Sequence, residues 1–363
     1  MALAAISMSA LTRSVGRAAR GLPTAIGARP AEIRKVAAGS DRYDGRTFSN
    51  PEPSAVLTLR QGLALVPDLL RRGNGGRPPL TIPLVTAPPP AAAGELAVTW
   101  LGHATTLVEI DGRFVLTDPV WSRRVSPSAT VGPTRLHPMP IAIGQLPALT
   151  AVVISHDHYD HLDLSTVREL VATQRAPFLV PLGIGAHLRR WGVPDDRIVE
   201  LDWNRSSTVD GIEFVCAPNR HFSGRGLRRN TTLWCSWALI GPRHRVYFGG
   251  DTGYTAEFTR TAQQWGPFDV TILPIGAYSD HWPDIHLNPE EAVAAHRDLG
   301  GGLLVPIHWA TFDLAMHPWA EPVRRLTAAG AAERIVTPRP GERVDPAGTG
   351  ATGSWWEIPD PSK

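Results

Sequence analysis

The apolar and polar positions along the chain change pattern at Leu96. From there on, short β-branched runs typical of buried strands alternate with segments whose apolar residues recur at helical spacing. The pair Asp111-Gly112 between two such runs predicts a hairpin. Asn288 is typical of the start of a helix, and Gly192 of the end of one. Strands and helices mixed in this way predict two packed mixed β-sheets flanked by helices, an αββα sandwich of the α+β class.

The same pattern divides the chain into three parts. Residues 1–95 are predicted to be an N-terminal extension, with helical spacing at 55–72 and a Pro/Gly-rich arm at 73–95. The main domain is predicted over 96–345, and a C-terminal tail over 346–363. Within the main domain we predict strands at 96–102, 105–119 (divided by the hairpin at Asp111-Gly112), 150–155, 176–183, 197–202, 211–221, 231–241, 245–254, 269–276 and 303–313, and helices at 164–174, 184–193, 255–265 and 288–300.

A run of histidines and carboxylates directly follows one of these strands, in the stretch VVISHDHYDHLD at 152–163. Buried polar groups cost free energy unless each is paired, but imidazole nitrogen and carboxylate oxygen are good ligands for a borderline divalent metal. His156 and His158 are two residues apart at a strand end, so they can share one ion. Asp160 and His161 lie one turn further on and can face a second ion. The alternative, a solvated His-rich loop without metal, fits this six-residue spacing poorly.

Other residues of ligand type occupy equivalent places in the pattern. His156, His158, His221, Asp251 and His308 each fall just past the end of a predicted strand. Ligands at strand ends converge at one edge of a sheet sandwich, where loops on a rigid scaffold commonly build a site. The sequence therefore predicts a metal centre at this edge.

Composition narrows the function classes further. The formal net charge of +2 over 363 residues is too balanced to indicate a nucleic-acid-binding protein, so no nucleic-acid partner is expected. The two cysteines are expected to be free thiols in a reducing compartment. No apolar run reaches the roughly 20 residues that cross a bilayer as a helix. Arg13, Arg17 and Arg20 share one helical face, a pattern more often found in a frayed basic terminus than in a membrane-surface helix. We predict a cytoplasmic protein, with peripheral membrane contact as a secondary expectation.

With these motifs in place, the chain resembles the metallo-β-lactamase fold hydrolases. Within them it is similar to N-acyl-phosphatidylethanolamine-hydrolysing phospholipase D and its bacterial relatives. The motifs that carry the resemblance run in the family's order from about residue 98 to 325: TWLGHAT (99–105), LTDPVWSRRVSPS (116–128), ISHDHYDHLD (154–163), VELDW (199–203), SWALIGP (236–242), FGGDTGY (248–254), PIGAY (274–278), NPEEAVAAH (288–296) and IHWATF (307–312).

The resemblance implies a centre of two Zn²⁺ ions, although Fe²⁺ or Mn²⁺ would suit the same mixed ligands. By position in the motifs, the residues that would hold the first ion are His156, His158 and His221; those for the second ion are Asp160, His161 and His308; and Asp251 would bridge both.

The resemblance also implies roles beside the ligands. Asp160 is expected to orient the nucleophile as well as to bind metal, and a protonated His286 to contact the substrate phosphate or to assist the leaving group. Asp118 and His103 are expected to hold ligand imidazoles in the correct tautomer, with a buried core histidine as an equal alternative for His103. Asp163 is expected to cap the following helix. The remaining histidines are expected to be surface or packing residues: His137, His187, His244, His281, His296 and His317.

The function that follows is a zinc-dependent phosphodiesterase acting on a glycerophospholipid or a small phosphodiester. A water shared by two zinc ions would have its pKa lowered toward neutrality and would attack phosphorus as hydroxide. Two alternatives stay open: a metal-dependent lactonase of the same superfamily, and a non-catalytic metal- or lipid-binding protein. A homodimer is a further expectation, because members of this family form dimers.

Overall fold

The structure is a computed structural model that describes residues 22–54, 73, 75–128, 130–226, 228–348 and 353–358. Two expectations lie outside these residues: the basic face formed by Arg13, Arg17 and Arg20, and the helical spacing at 55–72.

Thirteen strands are present in the described residues. They are β1 (Leu96–Gly102), β2 (Thr105–Ile110), β3 (Arg113–Thr117), β4 (Ala151–Val153), β5 (Phe178–Pro181), β6 (Ile198–Leu201), β7 (Ser206–Val209), β8 (Ile212–Ala217), β9 (Ser236–Ile240), β10 (Arg245–Phe248), β11 (Val270–Pro274), β12 (Leu303–Ile307) and β13 (Arg343–Val344). The first sheet has the order β13-β1-β2-β3-β4-β5-β6, and the second has the order β12-β11-β10-β9-β8-β7. Each sheet is mixed, since β3 to β6 and β10 to β12 pair in parallel while the other pairs are antiparallel.

Seven α-helices accompany the strands in the described part of the chain. They are α1 (Leu22–Ile26), α2 (Pro30–Ala37), α3 (Leu164–Thr173), α4 (Ile184–Trp191), α5 (Glu257–Trp265), α6 (Pro289–Asp298) and α7 (Glu321–Ala329). The helices α3 and α4 cover the outer face of the first sheet, and α5, α6 and α7 cover that of the second sheet. The αββα sandwich predicted from the sequence is therefore confirmed.

Apolar side chains fill the space between the layers. Trp100, Phe214 and Trp237 are fully buried where the two sheets face each other. A second core lies under α3 and α4, where Leu170 and Leu188 pack against the first sheet. Burial of these large side chains, at roughly 1.5–3 kcal/mol each, is the main force that joins the layers.

Short-range signals in the sequence act as predicted. Asp111 and Gly112 both have positive φ, 46° and 75°, as a tight hairpin requires. The side chain of Asp163 accepts a hydrogen bond at the start of α3, and that of Asn288 does so at the start of α6. Gly192, with φ of 98°, ends α4. These predictions are confirmed.

Several predicted strands are shorter in the structure: 211–221, 231–241, 245–254 and 303–313 become β8, β9, β10 and β12. The N–H groups of Leu233 and Cys235 donate to carbonyl groups in loops of the first sheet instead of to a neighbouring strand. The apolar side chains of these residues are buried between the layers. Sequence periodicity alone does not distinguish such burial from strand pairing.

Residues 22–54, which we call the N-terminal segment, contain two helices that the sequence analysis did not predict. Helices as short as α1 and α2 are unstable in isolation, so they depend on packing. Ile33 of α2 forms a small buried cluster with Ala186 of α4, and the indole of Trp191 donates to the carbonyl of Thr24. The part of the segment that carries α1 and α2 thus lies along α4.

Residues 353–358 of the C-terminal tail also contact the main domain. The ring centroids of Trp355 and Trp356 lie 5.0 and 6.1 Å from that of Trp309, which in turn stacks on Trp100 at 5.7 Å. We call these four residues the tryptophan cluster. The division of the chain at residues 95 and 345 stays a prediction. Among the described residues, no helix has the length and apolar content needed to cross a membrane.

Candidate metal centre

The predicted site residues meet at the edge of the sandwich where the loops after β4, β8, β10 and β12 converge. His308 directly follows β12, and His156 and Asp251 lie three residues past β4 and β10. His221 lies four residues past the end of β8, further than predicted. The two sheets contribute to the same edge, so the site lies at the junction between them.

Backbone strain is concentrated at this edge. His103, Asp118 and His308 have φ of 55°, 34° and 64°, in the left-handed region that costs a non-glycine residue about 1–3 kcal/mol. Local hydrogen bonds hold these conformations: the N–H of His308 donates to the carbonyl of His103 at 3.0 Å, and that of Asp118 to the carbonyl of Val153 at 2.9 Å. Strain of this kind is retained where surrounding contacts require one side-chain direction.

One set of converging atoms, the first ligand group, consists of His156, His158, His221 and Asp251. His158 Nδ1 lies 2.8 Å from His156 Nε2 and 3.4 Å from His221 Nε2. Asp251 Oδ2 lies 3.9 Å from His156 Nε2 and 3.8 Å from His221 Nε2. Ligand atoms about 2.0–2.1 Å from a tetrahedral ion are about 3.3 Å apart, which is close to these separations.

The second ligand group consists of Asp160, His161 and His308, with Asp251 shared. Asp160 Oδ2 lies 3.7 Å from His161 Nε2 and 3.6 Å from His308 Nε2. Asp251 Oδ2 lies 3.1 Å from His161 Nε2, and Asp251 Oδ1 lies 3.1 Å from His308 Nε2. The carboxylate of Asp251 therefore stands between the two groups.

Several of these atoms are buried without hydrogen-bond partners. Among the described residues, Nε2 of His161, Nε2 of His308 and Oδ1 of Asp251 are in this state, although His308 Nε2 lies 3.1 Å from Asp251 Oδ1 and His161 Nε2 lies 3.1 Å from Asp251 Oδ2. Polar atoms that are close, buried and not aligned for hydrogen bonding carry a desolvation cost that an ion among them would offset. The residues present thus fit two divalent ions with mixed nitrogen and oxygen ligands.

The two groups differ in protonation. Burial holds the pKa values of His156 and His221 well below the usual range and lowers that of His158, so the imidazoles of the first group are neutral. In the second group burial acts in the same direction but is outweighed by the carboxylates, chiefly Asp251, which hold the pKa of His161 well above its usual value and raise that of His308 to about 9.

The two ligand carboxylates, Asp160 and Asp251, are ionised. Burial opposes ionisation of Asp160 and Asp251, but the neighbouring imidazoles, led by His161, hold both pKa values well below the usual range. With neutral imidazoles in one group and ionised carboxylates in the other, both oxygen and nitrogen ligands are available to cations.

The two residues expected beside the ligands contact them directly. Asp118 Oδ2 accepts a hydrogen bond from His161 Nδ1 at 2.7 Å, which leaves Nε2 of that ring free to face the second group. His103 Nε2 lies 3.0 Å from Asp160 Oδ2, and burial lowers the pKa of His103 to about 3, so this imidazole is neutral and donates. These contacts favour the site role over the core alternative for His103.

His286 lies beside the shared carboxylate. Its Nδ1 is 3.9 Å from Asp251 Oδ2, and its ring centroid is 5.2 Å from that of His221 and 5.3 Å from that of His308. Burial lowers the pKa of His286 to about 4. This environment argues against the protonated imidazole that we expected, because burial disfavours the charged imidazolium form of His286.

Exposure indicates the direction from which a substrate would enter. The side chains of Asp160 and His286 are 16% and 12% exposed, whereas those of His161, His221 and Asp251 are 2% or less. The two predicted catalytic residues are thus among the accessible parts of an otherwise buried site.

The sequence analysis did not single out two residues that hold ligands in place. Asn50 Oδ1 accepts from the N–H of His221 at 3.0 Å, and Asn50 Nδ2 donates to the carbonyl of His221 at 2.7 Å. Ser155 Oγ lies 2.9 Å from Nδ1 of His156 and 2.5 Å from Oδ2 of Asp118. Ser155 adjoins the histidine motif and could have been noticed there, whereas no signal in the sequence marks Asn50.

Asp157, inside the histidine motif, was also passed over. Its carboxylate is buried and accepts hydrogen bonds from the N–H of Gly224 at 2.6 Å and from the hydroxyl of Thr232 at 2.9 Å. It faces away from both ligand groups, toward His187 Nε2 at 3.4 Å. Asp157 therefore fixes the loop that carries the ligands without being among them.

Of the histidines expected to pack or to lie on the surface, three are buried with hydrogen bonds. His137 contacts the Thr311 hydroxyl, His187 Nδ1 accepts from the N–H of Ala28, and His296 contacts the hydroxyl of Thr271. These contacts are of the packing kind that we expected.

Comparison with known proteins agrees with this geometry. A family model described as "Beta-lactamase superfamily domain" matches residues 113–309. The chain belongs to the metallo-β-lactamase superfamily. Among its relatives is an N-acyl-phosphatidylethanolamine-hydrolyzing phospholipase D of Caenorhabditis elegans, 36% identical over 293 residues that cover 75% of this chain and 82% of the relative.

Two further proteins extend the comparison. A protein of Mycobacterium tuberculosis described as uncharacterized is 58% identical over 352 residues, which cover 94% of each chain. The structure of a metallo hydrolase from the archaeon Ignicoccus hospitalis aligns with a TM-score of 0.53 at 23% identity, covering 69% of this chain and 97% of that one. The second comparison shows the shared fold alone, whereas the phospholipase relative bears on hydrolytic function.

Proposed function

We propose that this metal-dependent hydrolase is a zinc phosphodiesterase that cleaves a glycerophospholipid-type phosphodiester, as the name of its Caenorhabditis elegans relative describes for that protein. The observation that carries the proposal is the position of Asp251. One carboxylate oxygen faces His161 at 3.1 Å and the other faces His308 at 3.1 Å, while Oδ2 also faces the first ligand group at 3.8–3.9 Å. A carboxylate shared in this way supports a pair of ions rather than one.

The ions would be held by the first and second ligand groups, with Zn²⁺ favoured by the imidazole content and Fe²⁺ or Mn²⁺ compatible with the same atoms. When bound, two such ions lower the pKa of a water molecule toward neutrality and neutralise the oxygens of a phosphodiester. Net hydrolysis of an N-acyl-phosphatidylethanolamine by water at its distal phosphoester bond would yield phosphatidic acid and an N-acylethanolamine.

The chain's own residues would orient the reactants. Asp160, fixed by the imidazole Nε2–H of His103 at 3.0 Å, presents the most accessible carboxylate of the site and would accept a hydrogen bond from the nucleophile. His286 would donate a neutral imidazole N–H to a phosphate oxygen, because its pKa near 4 leaves it uncharged at pH 7. The fully buried ligands behind them exclude bulk water from the far side of the site.

A cytoplasmic location, contact with a membrane surface and a homodimer are parts of the proposal that derive from the sequence alone. Among the described residues, the large apolar side chains that are exposed are Ile26, Leu80, Val131 and Tyr254.

The first experiment combines metal content by mass spectrometry with turnover of bis-p-nitrophenyl phosphate. We expect about two ions per chain, and a loss of more than about a hundredfold in turnover for Asp160→Asn, since even outer contacts to a metal site are worth 10–100-fold. Asp163→Asn is the matched control, because it makes the same chemical change three residues away at a helix cap.

The same experiment separates the alternatives. Bound metal with lactone opening but no phosphodiester turnover would replace the proposal by a lactonase. Bound metal with neither activity would indicate a non-catalytic binding protein. A chain that takes up no divalent metal would refute the site itself.

A further inference from the structure

Ser155 is the residue immediately before the first ligand, and it is fully buried. Its hydroxyl lies 2.9 Å from His156 Nδ1 and 2.5 Å from Asp118 Oδ2, while its N–H donates to Asp118 Oδ1 at 2.7 Å. Asp118 already accepts from the N–H of Ser155 on Oδ1 and from His161 Nδ1 on Oδ2, so it acts as an acceptor on both oxygens and the single hydroxyl proton of Ser155 points to it. The hydroxyl oxygen must then accept the proton of His156 Nδ1.

This direction of hydrogen bonding fixes the tautomer of the ligand. With the proton on Nδ1, Nε2 of His156 carries a lone pair, and Nε2 is the atom that faces His158 and Asp251. If the serine hydroxyl were absent, Nδ1 would lose this acceptor and the other tautomer, with its proton directed at the ion position, would gain population.

The same carboxylate serves the second ligand group. Asp118 Oδ2 accepts from His161 Nδ1 at 2.7 Å, the counterpart of the bond that it receives from Ser155. One buried carboxylate therefore orients a histidine in each group, directly for His161 and through a hydroxyl for His156.

Gly250 packs directly against the side chain of Ser155. Gly250 has φ of 57°, and a Cβ there would lie 2.5 Å from Ser155 Cβ and 2.8 Å from Ser155 Oγ. The carbonyl of Ser155 accepts from the N–H of Cys235 at 2.9 Å. The main chain of Ser155 is thus held by the residue before β9 as well as by Asp118.

We propose that Ser155 is a positioning residue that extends the control of Asp118 from the second ligand group to the first, by setting His156 in the tautomer that binds metal through Nε2. The inference rests on the proposed dinuclear centre. In this view the contact of Asp118 with Ser155 serves the first ligand group and its contact with His161 serves the second. Removal of the Ser155 hydroxyl should therefore weaken the binding of one ion and not of both.

The test is a stepwise titration of the ion-free protein with Zn²⁺ against a competing chelator, for wild type and Ser155→Ala. We expect one of the two binding steps to weaken by about 10–100-fold and the other to change by less than about threefold, in the range measured for outer contacts to metal ligands. Ser155→Thr keeps the hydroxyl and is expected to restore most of the lost affinity.

Ser236→Ala is the matched control. Ser236 is equally buried and its hydroxyl donates to a main-chain carbonyl, that of Gly249, at 2.7 Å, but it contacts no ligand histidine. If Ser155→Ala and Ser236→Ala behave alike in both steps, or if Ser155→Ala weakens both steps equally, the inference is overturned.

A second readout needs no metal. Long-range ¹H–¹⁵N spectra of protein labelled with ¹⁵N-histidine report which ring nitrogen of His156 carries the proton. We expect the Nδ1–H form in ion-free wild type and a mixture of tautomers in Ser155→Ala. An unchanged tautomer in the variant would overturn the inference. A wild type that binds no Zn²⁺ but retains the Nδ1–H form would instead refute the proposed function and support the Ser155 contact.

Discussion

The N-terminal segment and the C-terminal tail both lie outside the domain predicted over 96–345. Each contacts a different ligand group, either at a ligand residue or at the residue beside one. From the N-terminal segment, Asn50 forms two hydrogen bonds to the main chain of His221. From the tail, Trp355 and Trp356 pack against Trp309, the residue after His308. One end of the chain touches the first ligand group through an amide, and the other supports the second group through aromatic rings.

The two contacts differ in how strictly they fix geometry: one consists of directional hydrogen bonds and the other of aromatic packing. Hydrogen bonds to both the N–H and the carbonyl of His221 fix where that residue lies, with little apolar area buried. Ring packing at 5.0–6.1 Å buries much area but tolerates small rotations. We therefore expect the N-terminal contact to influence metal affinity and the C-terminal contact to influence stability.

The largest effect should come from the tail. Trp356 is 5% exposed, and Trp356→Ala is expected to lower the free energy of unfolding by about 2–3 kcal/mol, toward the low end for a buried aromatic residue because a chain end can fray. Chemical denaturation of the ion-free protein measures this change. Zinc stoichiometry should stay near two per chain. A variant that loses an ion would contradict the expectation that the C-terminal contact influences stability alone.

Asn50→Ala should have a smaller and different effect. We expect the affinity for one Zn²⁺ to fall by about tenfold, or about 1.4 kcal/mol, because His221 loses both main-chain partners. Ser54→Ala is the control, since it removes the remaining partner of Asn50 Nδ2 without touching His221. Equal Zn²⁺ affinities for the two variants in a chelator-competition titration would exclude a role for Asn50 in metal binding.

The smallest effect should come from a residue near the ligands that touches neither chain end. Asp163→Ala removes the cap of α3 and is expected to lower the free energy of unfolding by about 1 kcal/mol. This change is measured as a lower midpoint of thermal unfolding. Zinc affinity should be unchanged for both ions. If it falls, proximity to the motif is sufficient to disturb the ligands, and the two contacts compared above would lose their significance.

The sequence supports the prediction of the sandwich and of the ligand clusters for a physical reason: both depend on local patterns. Strand ends, caps and the spacing of His156, His158, Asp160 and His161 are properties of adjacent residues. The structure brings these four together with residues from distant loops, but the assignment of each to an ion stays a prediction.

Other features could not be predicted because they depend on long-range contact. Asn50 is 171 residues from His221, and nothing near it in the chain indicates a partner. The helices α1 and α2 are too short to form without α4 beneath them. The neutral state of His286 depends on how deeply the fold buries it, which residue type does not reveal.

The arrangement of the ligands also has a consequence for how the two halves of the chain hold together. The first half, β1 to β6, carries His156, His158, Asp160 and His161, and the second half, β7 to β12, supplies the other ligands: His221, Asp251 and His308. Neither half contains a complete set for either ion. If the chain were cut in the turn between β6 and β7, each fragment alone would bind metal weakly, and reassembly of the two would depend on the concentration of zinc. The ions would then act as cross-links between two half-proteins.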